Sequence, residues 1–206
     1  LDQIEVAERT ANGIRVLIGI ADVDHDVPKG SPIDTHASSQ TTTVYTAVRT
    51  FPMLPEELST DLTSLNENVD RSAIVIEMVV SADGAIASSA IYRAVVRNTA
   101  QLTYEGVGSW LETSAPAPSK VAASADLEAQ LKLQDEAAGV LRKRRQEAGA
   151  LDFDRIEAQP IIANGQVKDI AARRKNRASA LIEDFMVAAN SVMARTLNAS
   201  KASAIR

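Results

Sequence analysis

Apolar and polar positions alternate with period two at Ile4 and Val6 and again at Val16, Ile18 and Ile20. Ala11-Asn-Gly13 between them is a tight-turn signal, so a hairpin is predicted from strands over 4–8 and 14–23. Pro28, Gly30, Pro32 and many Ser and Thr mark 24–43 as connecting structure, with a short helix near Asp34–Ser39. A β-branched run over Ala73–Val80, the turn Ser81-Ala-Asp-Gly84 and a return over Ala85–Val96 predict a second hairpin. A short helix is expected over Leu102–Leu111, capped by Thr103. Leu127, Leu131, Leu133, Ala138 and Leu141 then keep helical spacing from about Ser124 to Glu147, with no proline. Short strands follow over Asp152–Ile156 and on both sides of the Asn164-Gly165 turn. A last helix is expected from about Ile170 to Ser200. Hairpins with inserted and appended helices imply an α+β fold, not a regular βαβ alternation. Thr113-Ser-Ala-Pro-Ala-Pro-Ser119 is the sharpest change of composition, and we take 113–120 as an exposed connector within one domain.

At 206 residues and 45% hydrophobic, the chain can bury one sizeable core. No apolar run reaches membrane-spanning length, so no membrane association is expected. The absence of cysteine removes disulfides, thiolate metal sites and cysteine nucleophiles, and is compatible with a reducing cytoplasm. With two histidines, both in one loop, and no Gly-x-Ser-x-Gly, a serine hydrolase is disfavoured. A net charge of −5 argues against bulk electrostatic capture of nucleic acid, although a channel needs only local positive charge. Asp22, Asp24, His25, Asp26, Asp34 and His36 are of metal-ligand type, but they flank Pro28-Lys-Gly30, and a polar loop is the better reading.

Two segments are neither repetitive nor of simple composition: Ile20-Ala-Asp-Val-Asp-His-Asp-Val27 and Phe51-Pro-Met-Leu-Pro-Glu-Glu-Leu-Ser-Thr-Asp-Leu-Thr-Ser-Leu-Asn66. Together they resemble the catalytic domain of the RNB-type exoribonucleases, the family of ribonuclease II and ribonuclease R. The resemblance runs from Leu1 to about residue 200. It implies metal-dependent hydrolysis of single-stranded RNA from the 3′ end, with release of nucleoside 5′-monophosphates. Two-ion phosphodiester hydrolysis needs several carboxylates on a rigid element. The family uses four aspartates that end just before a strand, and Leu1-Asp2-Gln3 looks like the tail of that motif. Asp2 then matches the third aspartate and is the metal ligand. Gln3 stands at the fourth, where its amide oxygen can ligate Mg²⁺ (or Mn²⁺) but adds no charge. The first two aspartates, a downstream arginine and the flanking OB-type RNA-binding domains have no counterpart between Leu1 and Arg206. We therefore expect a fragment of a longer exoribonuclease, inactive or nearly so by itself.

The chain has one Trp, three Tyr and three Phe, and single-stranded RNA is gripped by stacking bases on such rings. The resemblance assigns RNA contact to Tyr45, in Thr41-Thr-Thr-Val-Tyr45. It assigns a two-ring clamp at the 3′ end to Tyr104 and Phe153. Phe51, Phe185 and Trp110 are taken as core. In Ile182-Glu-Asp-Phe-Met-Val-Ala-Ala-Asn190 the resemblance makes Glu183 a substrate contact near the scissile nucleotide. Arg142-Lys-Arg-Arg145 and Arg173-Arg-Lys-Asn-Arg177 suit either a phosphate path or solvated helix ends. Two alternatives stay open: an RNA-binding module without chemistry, motivated by Gln3, and a protein-binding scaffold, motivated by the acidic total.

Overall fold

The computed structural model describes residues 1–46, 49–113, 115–151, 157–163 and 166–202. Strands β1 (Gln3–Thr10) and β2 (Gly13–Ala21) form the first predicted hairpin. Helical turn α1 (Val23–Asp26) and helix α2 (Pro32–Gln40) follow. Ser31 caps α2 by accepting from the Asp34 N–H at 3.2 Å, with Pro32 at the first helical position. A small ribbon, β3 (Val44–Tyr45) and β4 (Thr50–Phe51), leads to a π-helical turn at Leu58–Leu62. Strands β5 (Asp70–Val80) and β6 (Ile86–Arg97) make the second predicted hairpin. The remaining elements are α3 (Tyr104–Glu112), α4 (Ser119–Ala122), α5 (Ala125–Glu147), β7 (Glu157–Ala163), β8 (Gln166–Arg173) and α6 (Arg177–Ala199). Helices thus accompany hairpins in an α+β arrangement. No helix among the described residues is long and apolar enough to cross a membrane.

The main sheet is antiparallel with order β1-β2-β5-β6. Its register aligns Ala7, Val16, Met78 and Ser89, and then Glu5, Ile18, Ile76 and Ile91, across one face. Helices α5 and α6 cover that face with Ala137, Ala138 and Leu141, and with Leu181, Phe185, Ala189 and Val192. Close approach is possible at the β5–β6 turn because Gly84 has φ +77° and no side chain. A Cβ there would lie 2.3 Å from the Val140 carbonyl of α5. A second cluster, around Val107, Val121, Leu131 and Ala178, joins α3, α4, α5 and α6.

β1 is an edge strand, and α5 closes it with side chains. Gln130 accepts from the Ala7 N–H at 2.9 Å and donates to the Ala7 carbonyl at 2.7 Å, as a neighbouring strand would. Gln134 donates to the Glu5 carbonyl at 3.1 Å. Unpaired edge groups invite pairing with other chains, and these amides occupy them.

Helices α5 and α6 are also joined by charge. Asp184 is 2% exposed and takes Arg142 Nε at 2.8 Å together with Arg145 Nη2. Burial raises the Asp184 carboxyl above its ordinary range, against the lowering by the two guanidiniums. Arg144 pairs with Asp83 at 2.8 Å, and Lys143 lies 3.9 Å from Glu147. The 142–145 cluster is therefore mostly an internal tie, neither a free phosphate path nor a merely solvated helix end.

Three expectations change. Residues 170–173 belong to β8, paired with β7, and α6 begins at Arg177, where Asn176 and Ser179 form a reciprocal cap. Phe51 is 49% exposed, outside the core, with the Arg49 guanidinium 5.0 Å from its ring centroid. The predicted strand over 14–23 stops at Ala21, because Asp22 turns the chain and binds Arg93 of β6 at 2.9 Å. The expected strand over Asp152–Ile156 lies outside the described residues. Phe185 is fully buried, and Trp110 is half-buried beside the second cluster.

Replacing Asp184 with Ala leaves two guanidiniums facing a largely buried gap. The expected loss is roughly 3–5 kcal/mol, as for other broken buried pairs, read as a lower urea midpoint.

Candidate nucleic-acid site

Gln3 opens β1, and its position is set from two sides. The Ala21 N–H donates to the Asp2 carbonyl at 3.0 Å, and the Leu65 N–H donates to the Leu1 carbonyl at 2.8 Å. Leu65 is itself buried, and Asn98 holds its carbonyl at 3.0 Å. Arg71 Nε holds the Ser64 carbonyl at 3.1 Å. The end of the 51–66 run thus acts locally as a bracket for the head of β1. Asn98, which also lines the cleft described next, was not legible as a site residue, since it acts through the Leu65 carbonyl 33 residues away in the chain.

A cleft of about 240 Å³ opens between the head of β1, the segment 97–104, and helices α3, α5 and α6. Gln3 and Glu5 line one wall. Tyr104 and Leu102 line another, and Leu131, Leu181 and Ile182 close the apolar end. Tyr104 is the first residue of α3, capped by Thr103 Oγ1 at 3.3 Å from the Gly106 N–H, and is 44% exposed. Half-exposure leaves a ring able to meet a partner in the cleft. Glu183 follows Ile182 on α6 and is exposed. Its carboxylate takes the Lys175 ammonium at 2.6 Å.

The structure therefore brings Gln3 and Tyr104 to one cavity, with Glu183 next to a lining residue. It does not bring Tyr45 there: this tyrosine is 77% exposed on β3 and does not line the cleft. Asp2 is exposed at the head of β1 and is not a lining residue. Phe153 lies outside the described residues.

Glu5 was not foreseen. It shares a face with Gln3 two residues earlier, and its Oε1 accepts from the Gln3 amide at 2.8 Å. Burial against the apolar wall raises its carboxyl from 4.5 to about 7, against a lowering by the Gln3 hydrogen bond. The sequence signal was the period-two spacing itself, which places positions 3, 5 and 7 on one face.

As ligands for a hard divalent cation, Asp2 and Gln3 offer the right atoms, a carboxylate and an amide oxygen. They do not make up the number: among the described residues no three His, Asp or Glu side chains converge on a metal-sized site. The loop acids are engaged elsewhere. Asp22 and Asp24 take Arg93, each at 2.9 Å, and Asp34 accepts from the Gly30 N–H at 2.8 Å. Of the second basic cluster, Arg177 pairs with Asp135 and Lys175 with Glu183.

The family model described as RNB domain matches residues 1–206. This chain belongs to the RNB domain family. It is 35% identical to Ribonuclease R 1 of Lactococcus lactis over 94% of its own length and 24% of that protein's. To Ribonuclease R of Escherichia coli K12 it is 34% identical, covering 99% of this chain and 25% of the relative. Among solved structures, Mycoplasma genitalium RNase R in complex with ribose-methylated single-stranded RNA superposes with a TM-score of 0.90 at 27% identity. That match covers 98% of this chain and 31% of the other. This RNB domain thus spans about a quarter of the length of the curated relatives it matches.

The raised Glu5 carboxyl fixes the sign of a pH effect. The native state holds this proton more tightly than the unfolded chain. Stability is therefore lost as pH rises from about 4.5 to about 7 and levels off above. Glu5→Gln keeps an acceptor for Gln3 and removes the charge. The variant should be more stable than wild type at pH 8 and no more stable at pH 4, by urea unfolding at both.

Proposed function

We propose that the protein carrying this RNB domain degrades RNA as a hydrolytic 3′-to-5′ exoribonuclease on single-stranded RNA, releasing nucleoside 5′-monophosphates. The observation that carries this reading is the shared cleft of Gln3 and Tyr104 at the head of β1 in a member of this family. Relatives named ribonuclease R, and the RNA bound in the Mycoplasma genitalium structure, support it.

Each side chain has a role suited to its chemistry. Tyr104 offers a ring face on which the 3′-terminal base stacks, and Phe153 is the partner ring of that clamp. Stacking on an aromatic ring contributes about 1–3 kcal/mol per base. Glu183 accepts hydrogen bonds from the nucleotide next to the scissile bond, with Lys175 holding its carboxylate. Tyr45, away from the cleft, meets the strand farther from its 3′ end. Asp2 is the charged metal ligand and Gln3 a neutral one, for Mg²⁺ or Mn²⁺. A bound ion of this kind stabilises charge on phosphodiester oxygens and activates water. Asp2 and Gln3 alone are too few for a two-ion site, so the complete set includes carboxylates beyond these two. In this reading the 206-residue chain is the central part of a catalytic domain, with 113–120 as a connector. OB-type domains flank it in the whole protein, and the isolated chain is inactive or nearly so. A cytoplasmic location completes the reading, supported by an RNA substrate and a chain without cysteine.

The test uses the whole protein and a 5′-labelled single-stranded oligoribonucleotide, with and without Mg²⁺ or Mn²⁺, beside Tyr104→Ala. We expect ion-dependent shortening from the 3′ end, and a different final product length in the variant. Binding without shortening in either ion would replace the exonuclease with an RNA-binding module.

A further inference from the structure

Asn176 precedes α6 and uses its side chain in two directions. Oδ1 accepts from the Ser179 N–H at 2.9 Å, which caps the helix. Nδ2 donates to the Tyr104 carbonyl at 2.9 Å, in the first turn of α3. Capping needs only the acceptor, and Asp, Ser or Thr would supply it. The donor is an addition that ties the start of one helix to the start of another.

A second observation points to the same contact. Gly108 lies within α3, where glycine costs about 1 kcal/mol relative to alanine. A Cβ at 108 would stand 2.5 Å from Asn176 Cγ and 2.7 Å from its Nδ2. Glycine at 108 leaves α3 without a side chain where the Asn176 amide lies against its backbone. The preceding residue, Lys175, holds Glu183 at 2.6 Å. The following one, Arg177, donates its N–H to Glu112 Oε1 at 2.5 Å and its guanidinium to Asp135. Three consecutive residues at the head of α6 therefore address α3, α5 and the exposed face of α6 itself.

We propose that Asn176 is a positioning residue for Tyr104: its amide holds the first turn of α3 against α6, so that the Tyr104 ring and the Glu183 carboxylate address one nucleotide. This rests on the substrate-binding roles proposed for Tyr104 and Glu183.

The experiment compares wild type, Tyr104→Ala, Asn176→Asp and the double variant of the whole protein. Asn176→Asp keeps the cap acceptor and turns a carboxylate oxygen towards the Tyr104 carbonyl. Expected are a melting temperature within a few degrees of wild type, a several-fold rise in KM for single-stranded RNA with kcat less affected, and a final product length shifted as in Tyr104→Ala. The double variant should show no further shift. Asn176→Ser, whose shorter side chain keeps the cap acceptor but lacks the amide that meets the Tyr104 carbonyl, replaces it should the aspartate unfold the protein. Wild-type KM and product length in Asn176→Asp, with Tyr104→Ala altered, would overturn the proposal. Hydrogen exchange supplies a readout independent of hydrolysis: amides over 104–108 should exchange several-fold faster in Asn176→Asp while those over 180–195 stay protected. If wild type leaves RNA intact, the exonuclease reading fails by itself. The exchange result then decides the contact, and unchanged protection over 104–108 overturns it.

Discussion

The carboxylate of Asp184, buried between two guanidiniums, fixes how α6 lies on α5, and much else follows from that. Burying a carboxylate costs several kcal/mol unless it is paired, so α6 has one low-energy rotation about its axis. That rotation turns Leu181, Phe185 and Val192 onto the sheet and leaves Glu183, the neighbour of Asp184, facing outward. About two turns earlier, Arg177 grips Asp135 of the same partner helix. Three ion pairs at two places on one helix set its axial position as well as its rotation, and Ile182 lies in the cleft wall.

The same partner helix governs the other side of the cleft. By closing the β1 edge with Gln130 and Gln134, α5 holds the strand that presents Gln3 and Glu5. The 51–66 run meets the head of that strand from beyond the sheet through Leu65. The cleft is thus assembled from local devices, an edge pairing, a backbone bracket and two helix caps, each holding one short stretch of backbone.

Much of this was legible in the chain because it is written in local chemistry. Asn-Gly and Asp-Gly turns, period-two alternation, the Thr103 cap and the helical spacing of Leu127 to Leu141 located both large hairpins and two helices to within a few residues. The start of α6 was misjudged because Ile170 and the residues around it read equally as helix or strand, and pairing with β7 decided the matter. Phe51 was expected inside because aromatics usually are, yet its ribbon is only two residues per strand and buries nothing. Asp184 gave no signal at all: a charged residue beside Glu183 in an amphipathic helix reads as solvated until the basic residues of 142–145 are placed against it. Of the site, Gln3 and Tyr104 emerged from the family resemblance. Glu5 was legible only as the strand neighbour that shares a face with Gln3, whereas Asn176 and Gly108 show their part only in the folded chain, where the contact crosses 72 residues.

The arginines tied up within the fold bear on how a polyanion would be held. Arg142, Arg144, Arg145 and Arg177 each already have a carboxylate partner inside the chain. A cation neutralised by its own protein displaces few of the counterions condensed on a nucleic acid, and it is that displacement which makes binding steeply sensitive to ionic strength. In the reading proposed above, these four arginines would add little to the grip on a strand, which at their positions would rest on other contacts. The share of the affinity owed to these four would then change little between dilute buffer and the salt of a cell.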